Sequence, residues 1–239
     1  MPIQFKNKIF DGHVFRNIYT IKNSQNLFDE LCDTKEENSI LNYWSEQTSY
    51  IDHKKPQQYR FAQYAEIANT PFPPTPEILS PLMKAGKSRF SDGSFGVWYS
   101  ALDEKTSISE TLYWSYRHWK KDIEIAKNPY VTDRKIFRAK IKTTKLCDLS
   151  EMVQEFPNLI HKEDYTFCQN LGKSGRENLV EAFLTLSVRE EGGKCMPIFV
   201  PQIIEQVQFI RFWHYTFYKD GRYLVTKDTD YEAKIPKDW

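Results

Sequence analysis

Residues 181–200 read EAFLTLSVREEGGKCMPIFV. Two short apolar runs, 181–188 and 195–200, flank Arg189-Glu190-Glu191-Gly192-Gly193, a charged stretch that ends in two glycines. A connection this short turns the chain back antiparallel on itself, whereas a parallel crossover needs roughly a dozen residues or more. The hairpin therefore fixes a sheet with antiparallel pairing. Outward from it, residues 206–219 alternate aromatic and polar positions before an Asp220-Gly221 turn, and form a further strand. Residues 134–143 alternate as well, with Ile136, Arg138, Lys140 and Lys142 on one parity and Phe137, Ala139 and Ile141 on the other. Val97–Ala101 is a short strand. Asp103 then stands where an N-cap belongs, and the spacing predicts a helix over 104–120 with Ile108, Leu112 and Trp119 on one side. A second helix is expected over 162–176. The strict strand–helix rhythm of a doubly wound fold is absent. The expected class is α+β, with a mixed or antiparallel sheet core and flanking helices in a single domain spanning 1–239.

Toward the N-terminus, residues 10–20 read as a strand entered by a turn at Asp11-Gly12. Residues 24–50 have helical spacing, with Ser24 as cap and Leu27, Phe28, Leu31, Ile40, Leu41 and Trp44 recurring. Six prolines between Pro56 and Pro81 break residues 52–88 into a loop with one short strand around Tyr59–Tyr64. Residues 24–88 thus form a helical and proline-rich insert, which wraps the surface or covers a pocket.

A chain of 239 residues can bury a sizeable core, and an aromatic share of 15% supplies bulk for it. With 33 basic and 32 acidic residues, no strong field draws the chain to nucleic acid or to an acidic membrane. Cys32, Cys147, Cys168 and Cys195 form no C-x-x-C pair and have no histidine at ligand spacing, so no metal site is expected and the thiols read as reduced. The opening MPIQFKNKIF lacks an apolar signal core, and no run of 18 apolar residues occurs. The expected location is the cytoplasm.

Glu110 is the first candidate for chemistry. Its helical neighbours are Thr106, Ser107, Tyr113 and Trp114, none of them cationic, where a surface glutamate commonly finds a lysine or arginine. Either it is a solvated helix carboxylate, or it stands in an enclosed place and meets a distant partner or a ligand. Arg89 follows Gly86-Lys87-Ser88 and precedes a glycine-rich turn, from which a guanidinium can reach phosphate oxygens; a plain surface arginine fits the same position. Tyr99 can stack on a flat heterocycle or fill core. Ser187 ends a buried-looking strand without a histidine at nucleophile-pair spacing. These residues alone give an α+β domain with a possible anion pocket and do not reach a reaction.

Residues 88–111, SRFSDGSFGVWYSALDEKTSISET, resemble the signature of the RES-domain family, which is named for its Arg, Glu and Ser. The family pattern is an Arg and an aromatic, a Gly, a strand with Tyr-x-Ala, then a helix carrying Glu. Arg89, Phe90, Gly96, Tyr99, Ala101 and Glu110 match it, with ten positions from Arg89 to Tyr99 and eleven from Tyr99 to Glu110. Ser187-Val188-Arg189 before Gly192-Gly193 matches the Ser motif, and Phe15-Arg16 the early aromatic-Arg pair. The match is closest to longer members, which carry a helical insert after the first Arg and end in an aromatic strand closed by Asp-Gly; here those are 24–50 and 212–221. Two departures stand out. Asn17 occupies a position where many shorter members have Tyr, and the gap from Arg16 to Arg89 is long.

The resemblance implies a fold like that of ADP-ribosyltransferase toxins and cleavage of the nicotinamide–ribose bond of NAD⁺. ADP-ribose would pass to phosphate or water, with phosphate a co-substrate and no cofactor; transfer to a protein, or NAD⁺ binding without turnover, are the alternatives. It further implies a toxin silenced by an Xre-type helix-turn-helix antitoxin. In this scheme Glu110 stabilises the oxocarbenium-like ribose, and Arg89 and Arg16 clamp the pyrophosphate. Tyr99 stacks on nicotinamide or fixes the ribose, and Ser187 binds the carboxamide or orients Glu110.

Overall fold

The computed structural model describes residues 3–20, 78, 81–82, 86–121, 123–124 and 128–227. The helix expected over 24–50, the strand around Tyr59–Tyr64 and Cys32 lie outside the described residues. Two long strands organise the rest: β1, Asn7–Thr20, and β5, Tyr130–Asp148, run antiparallel with partners from Asn7↔Cys147 to Thr20↔Asp133.

Between them in sequence lie β2 (Lys87–Ser88), β3 (Ser91–Asp92) and β4 (Trp98–Ala101), then helix α1 (Glu104–Lys121). After β5 come helix α2 (Thr166–Glu177), β6 (Ala182–Leu186), β7 (Lys194–Ile198), β8 (Ile204–Phe217) and β9 (Tyr223–Lys227). The class is α+β with a mixed seven-stranded sheet, as expected. β6 and β7 form the antiparallel hairpin, with Thr185 opposite Cys195, and β5 with β6 is the parallel pair.

The pairings β1–β4, β4–β7, β7–β6, β6–β5 and β5–β1 return to their start and enclose a five-stranded ring, from which β8 and β9 extend along β5. Val14, Trp98, Ile141, Met196 and Ile198, all fully buried, pack into one core with Ile78 and Leu82. A second core of Phe90, Leu149, Leu159, Cys168 and Phe183 seats α2, and a third of Leu112, Trp119, Tyr215 and Phe217 seats α1 on β8 and β9.

Asp103 caps α1 as its position predicted: its Oδ1 accepts from Thr106 N at 2.7 Å and its carbonyl from Ser107 N at 3.2 Å. Asp11-Gly12 is a correction. These residues do not turn but sit inside β1, paired with Lys142 and Ile141. The β5 ladder overrides the local turn preference, and Gly12 suits the position because a Cβ there would lie 3.0 Å from the Phe10 ring. The parity of 134–143 holds for Phe137, Ala139 and Ile141, but Ile136 is buried too, because a register shift against β8 falls between Ile136 and Phe137. No helix among the described residues is long and apolar enough to cross a membrane.

Candidate active site

A cavity of about 460 Å³ opens where β1, β4, the β2–β3 hairpin, α1 and the start of α2 meet. Arg16, Arg89, Tyr99, Glu110, Trp114 and Tyr165 line it. Four of the five residues singled out in the sequence therefore share one wall space. The fifth, Ser187, stands behind Glu110.

Glu110 projects from the second turn of α1. Its Oε1 accepts from Ser187 Oγ at 2.6 Å and from Val188 N at 3.3 Å, with the Cys195 thiol at 3.8 Å. Among the described residues, Oε2 makes no hydrogen bond and no cation pairs with the carboxylate. Ser187 is itself fixed, because its Oγ accepts from Arg189 N (3.1 Å) and Glu190 N (3.0 Å). Glu190 ties this loop to α1 through Ser109 Oγ and Lys105 Nζ. Burial, reinforced by the Glu110 charge, holds the Cys195 thiol well above its ordinary pKa, so it stays a neutral donor.

Arg16 reaches the cavity from β1. Its Nη1 donates to Tyr99 O at 2.7 Å, its guanidinium carbon lies 5.0 Å from the Trp98 ring centroid, and its Nε has no hydrogen-bond partner among the described residues. Burial, and then the nearby Arg134 guanidinium, push its pKa down to about 10, still far enough above neutrality to keep it charged. Arg134 is held by Asn17, accepting at Oδ1 (2.8 Å), and Asn17 in turn donates to Tyr215 Oη at 2.8 Å. Asn17, the departure from the pattern of shorter members, is thus a buried node between β1, β5 and β8.

Arg89 sits at the turn of the β2–β3 hairpin. Its Nη1 donates to His161 O at 2.8 Å, and its guanidinium lies 4.4 Å from the Tyr165 ring centroid. Neither Arg16 nor Arg89 has a carboxylate partner among the described residues. Tyr99 Oη accepts from Phe90 N (2.9 Å) and donates to Ser88 Oγ (2.8 Å), so it tethers both neighbours of Arg89. Burial pushes the Tyr99 pKa up to about 12, which keeps this hydroxyl protonated. Its polar end is committed to the hairpin, and only its ring remains for a ligand.

Sequence reasoning missed four residues that build the site. Gln169 Nε2 donates to Ser88 O at 2.9 Å across 81 positions. Gly172 lets α2 approach so closely that a Cβ would fall 2.0 Å from Phe90 O. Cys195 and Thr185 reach the cavity because they are paired across the hairpin, and Ser187 has the parity of Thr185. Strand parity carried that last signal, but only the register revealed it. No cluster among the described residues is arranged to hold a metal ion.

No curated protein matches this chain. Among solved structures, a chain of the M. tuberculosis MbcT–MbcA toxin–antitoxin complex is similar at 12% identity and a TM-score of 0.43, over 90% of this chain and 88% of that one. The RES domain model matches residues 57–217, which takes in Arg89, Tyr99, Glu110 and Ser187. With two thirds of its length matched and those side chains gathered around one cavity, the chain belongs to the RES-domain family.

Proposed function

We propose that the protein is an NAD⁺-degrading enzyme that cleaves the nicotinamide–ribose bond and passes ADP-ribose to phosphate or water. One observation carries this reading. A single cavity joins two arginines that, among the described residues, have no carboxylate partner to a carboxylate that, among the same residues, accepts from neutral donors. A dinucleotide with a pyrophosphate and a cationic ring suits that charge pattern.

In the proposed reaction, the C1′–N bond breaks and its electron pair leaves on nicotinamide, which becomes neutral and needs no general acid. Positive charge develops on the ribose, and Glu110 stabilises it through Oε2, the oxygen its positioning donors leave free. Ser187, Val188 N and the Cys195 thiol fix the carboxylate plane through Oε1. Arg89 and Arg16 hold the pyrophosphate. A phosphate oxygen then attacks C1′ to give ADP-ribose 1″-phosphate, or water attacks and releases a proton to give ADP-ribose. Membership of the RES family supports the further reading of a cytoplasmic toxin held in check by a helix-turn-helix antitoxin.

Incubation of purified protein with NAD⁺, with and without inorganic phosphate, tests the proposal by product mass. Free nicotinamide with either ADP-ribose species is expected. Intact NAD⁺, or adenylate label fixed in a protein band, overturns it.

A further inference from the structure

We infer that Trp114 is the face on which the cationic nicotinamide ring of the substrate stacks, and that it selects oxidised over reduced dinucleotide. The inference rests on the reading of NAD⁺ as substrate. Trp114 lies four positions after Glu110 on α1, so both side chains leave the same side of the helix, and both line the cavity. It is the one exposed tryptophan among the described residues, at 38%, while Trp98 and Trp119 are buried. A large aromatic left in water at the mouth of a cavity gains most from a flat ligand.

The surroundings of the indole fit a cation. Tyr113 makes a T-shaped contact with it at 5.3 Å and 82°, so the two rings do not stack and the indole is not sandwiched flat by its neighbour. Arg117 stands over the indole, with its guanidinium carbon 5.7 Å from the centroid, so the ring already attracts a planar cation, and a bound pyridinium would displace Arg117 or take the opposite face. With Glu110 beside the reacting ribose, Trp114 stands one turn further along the same helix, about 6 Å in rise, a distance the attached base can span. The pyridinium of NAD⁺ carries a full positive charge, whereas the dihydropyridine of NADH is neutral. An indole face attracts the first through its quadrupole and the second far less. Because the charge leaves the ring as the glycosidic bond breaks, this contact favours binding more than the chemical step, and its loss raises KM rather than lowering kcat.

The test uses Glu110→Gln protein, in which turnover is suppressed and the carboxylate's own pull on the ring is gone. NAD⁺ and NADH affinities are measured by calorimetry with and without Trp114→Leu. About a tenfold loss of NAD⁺ affinity is expected, with NADH changed about twofold or less, the span a cation–π contact covers. In the active protein, Trp114→Leu should raise KM for NAD⁺ by a similar factor, and Trp114→Phe, which keeps a ring, by less. Equal losses for NAD⁺ and NADH, or unchanged KM, overturn the role of Trp114 and leave the enzymatic reading standing. A wild-type protein that neither consumes nor binds NAD⁺ overturns both.

Discussion

Replacing Arg16 by Met separates a functional cation from a structural one. In an ordinary fold a buried arginine is matched by a carboxylate, and removing it strands the partner at a cost of about 3–5 kcal/mol. Arg16 has no such partner among the described residues. Its pKa, pushed down to about 10, corresponds to roughly 3 kcal/mol by which the surroundings disfavour its charged form. Against this stand the bond to Tyr99 O at 2.7 Å and the contact with Trp98, together about 2–3 kcal/mol. The two contributions nearly cancel, so Arg16→Met should leave stability within about 1 kcal/mol of the parent, a Tm change of about 2–4 °C in a chain this long. Ligand binding should behave differently. ADP-ribose is expected to raise the Tm of the parent protein and to leave that of the variant unmoved, because binding to the native state alone stabilises it. Calorimetric melts with and without ADP-ribose read both quantities. A fall of about 10 °C in the variant without ligand would refute the account, since it would reveal Arg16 as a structural cation with a partner.

Glu110→Gln and Arg89→Ala should each lose at least about 2 kcal/mol of transition-state stabilisation, read as kcat/KM for NAD⁺. Ser187→Ala removes the 2.6 Å donor to Glu110 and should lower kcat by about tenfold or more with a small change in KM; a purely structural serine would instead show as lost Tm. Gly172→Ala sets a methyl 2.0 Å from Phe90 O, so the Arg89 hairpin must shift, and Tm should fall by several degrees while KM rises. Tyr99 titrates near 12 in the fold against about 10 when unfolded, so above pH 10 the unfolded chain loses its proton first and stability falls as pH rises toward 12. Tyr99→Phe should flatten that decline in denaturant titrations over the same window.

The parts of the fold that were legible in the sequence are local ones. The 181–200 hairpin follows from a five-residue charged loop between two apolar runs, and Asp103 announces the start of α1 by its place before an amphipathic stretch. Glu110 drew notice because no cation lies within a turn of it, and in the fold its Oε1 accepts only neutral donors. What stayed hidden depends on pairing between distant segments. The ring closes because β4, between the two long strands in sequence, pairs with both β1 and β7, and no periodicity encodes that. Asp11-Gly12 misled for the same reason: a turn-prone dipeptide extends when a 19-residue strand lies alongside to bond it. The Gln169 tether is invisible in sequence because a glutamine on a helix carries no sign of which backbone carbonyl it will meet 81 positions away.

The site holds its charges apart, and that separation has a physical consequence. Two guanidiniums and a carboxylate line one cavity of about 460 Å³, yet no ion pair joins them. Opposite charges in so small a space would collapse into a salt bridge if their side chains were free to move, since screening is weak away from bulk water. Each is restrained by neutral groups instead: Arg16 by a carbonyl and an indole, Arg89 by a carbonyl and a phenol ring, Glu110 by a hydroxyl, an amide and a thiol. The fold thereby leaves each wall to be matched by a ligand rather than by the other. A ligand matches both at once only if it carries anionic and cationic groups a cavity's width apart. Under the proposed reaction, an oxidised nicotinamide dinucleotide would do so before its glycosidic bond breaks; afterwards the nicotinamide is neutral and would lose its attraction to the Glu110 wall, so the same asymmetry that would draw the substrate in would let that product go.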